Sequence, residues 1–207
     1  MRLVMATGNA GKLKELRELL PPPAFEVLPQ SQFTSVSVEE TGLSFVENAI
    51  LKARHAAQAS GLPAIADDSG LEVDALDGAP GIYSARYAGE GASDEDNLLK
   101  LLAALEGKSP AERSARYQCA LVYMRSPRDP SPLICQASWE GRITSHRRGT
   151  GGFGYDPIFE LADRPVTVAE LSAAEKNQLS HRGQALRGLV ALLQTRDRAS
   201  CHDPRAS

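Results

Sequence analysis

Two adjacent carboxylates close an apolar run in the stretch IADDSG, residues 65–70. A carboxylate at the end of a buried strand can orient and deprotonate a water, or help to hold a divalent cation. Neighbouring side chains in a strand point to opposite faces. If LPAIA, residues 62–66, is a strand and its geometry continues, Asp67 and Asp68 cannot both face one cleft. One serves a site, and the other is solvated or supports the structure. Asp, Ser and Gly are also turn formers, and taken alone a turn is the simpler reading of residues 67–70.

Four other stretches carry residue types that handle anions or aromatic rings. TGNAGK, residues 7–12, lies between a strand-like and a helix-like segment, so backbone N–H groups and Lys12 can meet a phosphate there. It is not a Walker A loop, because Leu13 follows the lysine, and an ordinary tight turn is the plainer alternative. Glu39 and Glu40 can join Asp68 in a hard-oxygen site suited to Mg²⁺, or form a solvated acidic turn. Lys52 follows Glu47 by five residues and either enters the same cleft or coats the surface. In GTGGFGYDP, residues 149–157, Phe153 and Tyr155 either stack on a ligand ring or plug the core, and Asp156 can accept hydrogen bonds. In EKNQLSHRGQAL, residues 175–186, Lys176, His181 and Arg182 are donors that suit a base with a 6-keto oxygen and mismatch a 6-amino group; a helix cap with a surface arginine is the alternative.

The elements that must position these residues alternate. RLVMA (2–6) reads as a strand, and Leu13, Leu16, Leu19 and Leu20 mark a helix stopped by three prolines. A second strand is expected over 24–29. Ser44 and Glu47 form a capping-box signature for a helix ending at Gly61. Ser93 caps another helix, and residues 114–125 and 133–144 read as two long strands joined by SPRDPSP. Residues 167–194 read as helical, with a second capping box at Ser172 and Glu175 and a break near Ser180. The expectation is an α/β protein: one domain over residues 1–195, with a frayed tail over 196–207.

The chain has 207 residues and a formal net charge of −3, which argues against general binding to nucleic acid or an anionic membrane. No apolar run approaches the ~20 residues that span a bilayer. Cys119, Cys135 and Cys201 show no CxxC spacing, and with no secretory signal they fit a reducing cytoplasm.

TGNAGK, EETG, the pattern from Phe45 to Ala53, ADDSGLEVDALDGAPGIYSARYAG, GTGGFGYDPIF and EKNQLSHRGQAL occur in order between residues 3 and 193. Together they resemble the inosine/xanthosine triphosphate pyrophosphatases of the Ham1-like family. The resemblance implies an elongated mixed sheet flanked by helices, two lobes with a substrate cleft between them, and a homodimer. It implies Mg²⁺-dependent hydrolysis of ITP, dITP and XTP to the monophosphate and pyrophosphate. Carried over, Thr7, Gly8, Asn9, Ala10, Gly11 and Lys12 hold the triphosphate with Lys52. Asp68 is the proton acceptor and a metal ligand with Glu39, and Ser69 touches substrate. Phe153 stacks on the base beside Gly154, Tyr155 and Asp156, while Lys176, His181 and Arg182 read the purine. The alternatives are a pyrophosphatase for other modified or standard dNTPs and a non-catalytic nucleotide binder.

Overall fold

The computed structural model describes residues 1–200. Its first strand, β1 (Arg2–Met5), is the expected apolar run. Asn9 then starts helix α1 (Ala10–Leu19), its side-chain oxygen accepting from the N–H groups of Gly11 and Lys12. Strand β2 (Glu26–Pro29) pairs parallel with β1. Helix α2 (Phe45–Ser60) opens on Ser44 and ends at Gly61, whose φ of 67° is the left-handed cap conformation.

Strand β3 (Ala64–Val73) is much longer than the five residues expected. Asp67–Gly70 is not a turn. Each of its residues pairs across an unbroken antiparallel ladder with β5 (Ser114–Met124). Local turn propensity loses to ten ladder pairs in register, Ala64 opposite Met124 through Val73 opposite Ala115. Strand β4 (Pro80–Gly81) adds to the far end of β3. Helix α3 (Asp94–Ala104) follows its Ser93 capping box. Strand β6 (Leu133–Ile143) pairs with β5, and β7 (Phe159–Leu161), which no sequence pattern marked, pairs with β6. The order is β2-β1-β3-β5-β6-β7, a mixed seven-stranded sheet with β4 beside β3.

The expected long helix breaks where anticipated. Helix α4 (Ala173–Leu179) ends at Ser180, whose backbone is extended, and α5 (His181–Ser200) begins there. Helix α5 runs five residues past the boundary expected at 195. The remainder of the expected tail, 201–207 with Cys201, lies outside the described residues. No helix among the described residues is long and apolar enough to cross a membrane.

Side-chain alternation distributes the core over both faces of the sheet. Ile65, Cys119, Leu121 and Tyr123 face α1 and α5, packing with Leu16, Leu20, Leu186 and Leu189. Ala64, Ala66, Ala120, Val122 and Met124 face α2, which answers with Ala49, Ala53, Ala56 and Ala57. Small residues on both sides bring α2 close to the sheet. A third cluster, with Leu71, Val73, Leu98, Leu101, Ile158 and Phe159, forms the second lobe around α3 and β7. Each fully buried Leu, Ile or Phe contributes about 1.5–3 kcal/mol. The three clusters together hold the sheet rigid beneath the trench between the lobes.

Candidate active site

Strand alternation puts Asp67 and Ser69 on the α1/α5 face and Asp68 on the α2 face, and each face supplies a cation. Lys12 of α1 reaches Asp67 Oδ2 at 2.8 Å, and Arg182 of α5 reaches the same oxygen at 3.3 Å. Lys52 of α2 reaches Asp68 Oδ1 at 2.6 Å and Glu40 Oε1 at 3.1 Å. Ser69 Oγ lies near Lys12 Nζ and Arg182 Nη2, at 3.3 and 3.2 Å. Lys52 therefore sits in the trench, not on the surface.

The two carboxylates differ in electrostatics. Burial opposes ionisation of Asp67, but Lys12, Arg182 and Lys52 outweigh it and hold its carboxyl far below the usual range. Burial pushes the Asp68 carboxyl up, and Lys52 offsets this only in part. Burial works against the charge on Lys52, yet Asp68, Asp67 and Glu40 outweigh it and keep the ammonium charged. Asp68 is thus the better base and Asp67 the fixed counter-ion. Across the ladder from Ser69, Cys119 is buried, and desolvation, then the nearby Asp67 charge, push its thiol up to about 12.

The trench has two halves. The polar half, a cavity of about 450 Å³, is lined by Thr7, Gly8, Asn9, Lys12, Glu40, Lys52 and Asp67, among others. Asp68 does not line it. It is 6% exposed and lies behind Lys52, with Asn48 Nδ2 at 3.5 Å. Glu39, expected as the second metal ligand, is exposed, and Glu40 is the residue that turns toward Lys52. Glu40 is held below the usual carboxylate range: burial opposes this, but Lys52 and Arg86 prevail. At the head of α1, the Gly11 and Lys12 N–H groups are taken by Asn9 Oδ1 at 2.8 and 3.1 Å. The loop therefore presents Asn9 and Lys12 side chains to a ligand more than bare backbone N–H groups.

The other half, about 150 Å³, meets the first at Asn9, Lys12 and Ala85. Phe153, Gly154, Tyr155, Asp156, Lys176, His181 and Arg182 all line it. The two aromatic residues divide the readings left open for them. Tyr155 is buried in the second-lobe core and donates to Ser84 O at 2.8 Å, so its ring packs inside while its edge borders the cavity. Phe153 is 37% exposed, with Lys176 Nζ 4.1 Å from its ring centre. Buried Asp156 accepts from Tyr117 OH (3.2 Å), Phe153 N (2.9 Å) and Lys176 Nζ (2.9 Å), so it organises the aromatic loop. Gly152, at φ 75°, is required there because a Cβ would run into the Asp156 carboxylate. His181 stacks on Tyr117 at 4.8 Å, and its Nδ1 has no partner among the described residues. Burial, then Arg182, Lys176 and Lys12, hold its pKa well below the usual value, so the ring is neutral.

Sequence reasoning missed Tyr117, Asp94 and Arg86. Tyr117 reads as one more strand residue, and Asp94 as first-turn helix acid, although its Oδ2 takes the Gly154 N–H at 2.8 Å. Arg86 reaches from the second lobe to Glu40 Oε2 at 3.5 Å. No local pattern marks any of the three.

An open mixed sheet, a trench lined by lysines paired with carboxylates at one end, and an aromatic loop with a neutral His and an Arg at the other define a class of nucleotide-handling α/β proteins. The chain belongs to the Ham1 family, whose model matches residues 3–192. It is 62% identical to the dITP/XTP pyrophosphatase of Thioalkalivibrio sulfidiphilus, over 95% of this chain and 100% of that protein. It is 61% identical to the dITP/XTP pyrophosphatase of Vibrio parahaemolyticus, over 93% and 96%. The HAM1 protein of Coxiella burnetii superposes with a TM-score of 0.88 at 49% identity, covering 94% of this chain and 99% of that one. The Ham1 protein of Staphylococcus aureus gives 0.85 at 41%, covering 95% and 100%.

Proposed function

We propose that this protein hydrolyses the triphosphates of deaminated purines, dITP, ITP and XTP, to the monophosphate and pyrophosphate. The observation that carries the reading is the continuous trench: a base-sized, donor-lined pocket joined at Asn9 and Lys12 to a cavity that presents Lys12 and Lys52, with a buried carboxylate behind it. A hypoxanthine or xanthine ring against Phe153 brings O6 toward His181 and Arg182. Neutral His181 can donate one hydrogen bond, and Arg182 only donates. Adenine would leave such donors facing its own amino group, at about 1–3 kcal/mol for each one left unpaired. Guanine shares O6, so its rejection rests on features other than these donors.

Lys12, Lys52 and Asn9 hold the triphosphate, and Asp68 takes a proton from the water that attacks the α-phosphorus. Lys52 must swing from Asp68 to phosphate for that water to reach the carboxylate. Asp67 stays ionised and fixes Lys12 and Arg182. Such hydrolysis depends on positioning and charge stabilisation, with little covalent work for the protein.

Asp68 with Glu39 or Glu40 would hold Mg²⁺. The donor set fits, because hard carboxylate oxygens of Asp68 and Glu40 already converge on one cation, the Lys52 ammonium. Among the described residues no three His, Cys, Asp or Glu side chains gather as a metal cage. Two carboxylates completed by substrate phosphates are what Mg²⁺ accepts. When bound, it neutralises the pyrophosphate leaving group. The family resemblance supports a homodimer, and the composition supports a cytoplasmic setting.

The test is turnover across eight nucleotides with the products identified. The expected result is dITP, ITP and XTP far above ATP and GTP, with pyrophosphate released and not phosphate. Equal turnover of the standard nucleotides would replace this reading with that of a general dNTP pyrophosphatase.

A further inference from the structure

The Lys52 ammonium stands where a cation shared by Glu40 and Asp68 would stand. It is 2.6 Å from Asp68 Oδ1 and 3.1 Å from Glu40 Oε1, its side chain is only 16% exposed, and it separates Asp68 from the cavity. The other oxygen of Glu40 pairs with Arg86. Building on the metal reading above, we propose that Lys52 occupies the divalent-cation position in the nucleotide-free protein, so that the cation enters only together with a triphosphate that takes over the displaced ammonium.

Two physical points support this. A dication between Glu40 and Asp68 cannot share the space with Lys52, so the ammonium must leave. Without an anion to receive it, it would give up Glu40 and Asp68 for the water of the open cavity alone, an unfavourable exchange. Phosphate oxygens in the adjoining cavity supply that anion, within the swing of a four-carbon stem. The charge balance agrees. Asp67, Asp68, Glu40 and Glu90 face Lys12, Lys52, Arg86 and Arg182, so the nucleotide-free site is already balanced. A bare dication adds two uncompensated positive charges, whereas the triphosphate that accompanies the metal brings about four negative ones. Lys52 thereby makes metal and nucleotide binding mutually dependent.

Mn²⁺ is the probe, titrated into the intact protein and followed by the electron paramagnetic resonance of the free ion, with and without an α,β-methylene analogue of inosine triphosphate, each titration with the analogue being corrected for the Mn²⁺ that the analogue binds without protein. Wild type should bind Mn²⁺ at least ~10-fold more tightly with the analogue than without it. Lys52→Met should bind Mn²⁺ at least ~10-fold more tightly than wild type when no nucleotide is present, and should lose most of the coupling. Lys52→Gln, checked with Lys52→Met by thermal melting, serves if the methionine variant does not fold. Lys12→Met removes the same charge beside Asp67 and should tighten Mn²⁺ binding far less. Equal Mn²⁺ affinity of nucleotide-free wild type and Lys52→Met overturns the inference and leaves the metal reading intact. An equal gain in Lys12→Met also overturns it, because the effect would then be net charge alone. Failure of wild type to take up Mn²⁺ even with the analogue brings down the metal reading, and the inference with it.

Discussion

At the scale of single residues, neighbouring aspartates have been given opposite tasks by the two faces of one strand. Asp68 is the group whose chemistry can be removed with little disturbance of shape. Asp68→Asn should retain nucleotide binding and lose at least ~10²-fold in kcat, measured with dITP. The raised Asp68 carboxyl also sets a pH dependence. A base must be ionised, and burial raises its pKa in the free protein above the ordinary Asp value, so kcat/KM should fall on acidification at a higher pH than an unperturbed Asp would set. That acid limb should vanish from the residual activity of Asp68→Asn. Asp67→Asn acts on stability instead. It removes the carboxylate shared by half-buried Lys12 and buried Arg182, and unfolding in urea at neutral pH should show a loss of about 3–5 kcal/mol. Because the folded-state pKa of Asp67 is depressed, its contribution is full above the unfolded carboxylate pKa and fades as pH falls toward the folded value. The gap between wild type and variant should therefore narrow below about pH 4.

Among the elements, the decisive one for the base pocket is the break between α4 and α5. Ser180 is extended and its Oγ accepts from Gly183 N at 3.1 Å, which aims His181 and Arg182 into the trench. A Cβ on Gly183 would collide with the Asn177 carbonyl. Gly183→Ala should lower the thermal midpoint, by about 1–3 kcal/mol in stability, and raise KM for dITP several-fold with a smaller change in kcat. This break was legible in advance, because Ser172 and Glu175 begin one helix and Ser180 can cap another. So were the starts of α2 and α3, since side-chain caps are local chemistry. The continuation of β3 through Asp67–Gly70 was not legible. Turn propensity is local, whereas the ladder that overrides it comes from residues 115–124, about fifty positions away in sequence. For the same reason β7 escaped notice: three residues carry no period, and only the edge of β6 makes them a strand. In the site, Phe153 and Tyr155 carry the same sequence signal, and only packing against Ser84 sends one of them inward.

For the whole molecule, the pairing of Glu40 with both Lys52 and Arg86 links the two lobes across the trench, since Arg86 belongs to the segment of the second lobe between β4 and α3. Exposed apolar side chains lie outside the core clusters, including Leu43 at 86% and Tyr83 at 54%. Tyr83 sits in the irregular segment between β4 and α3. Sedimentation should give twice the 22.2 kDa chain mass, and a monomer at assay concentration would remove the homodimer from the proposal.

The thiol of Cys119 gives the molecule a built-in clock. With its ionisation pushed up to about 12 and its sulfur shut inside the sheet opposite Ser69, it is nearly inert toward alkylating reagents while the ladder stays closed. Its slow modification therefore times how often the strands beneath the two aspartates part, and a bound nucleotide that braces them would stretch the interval.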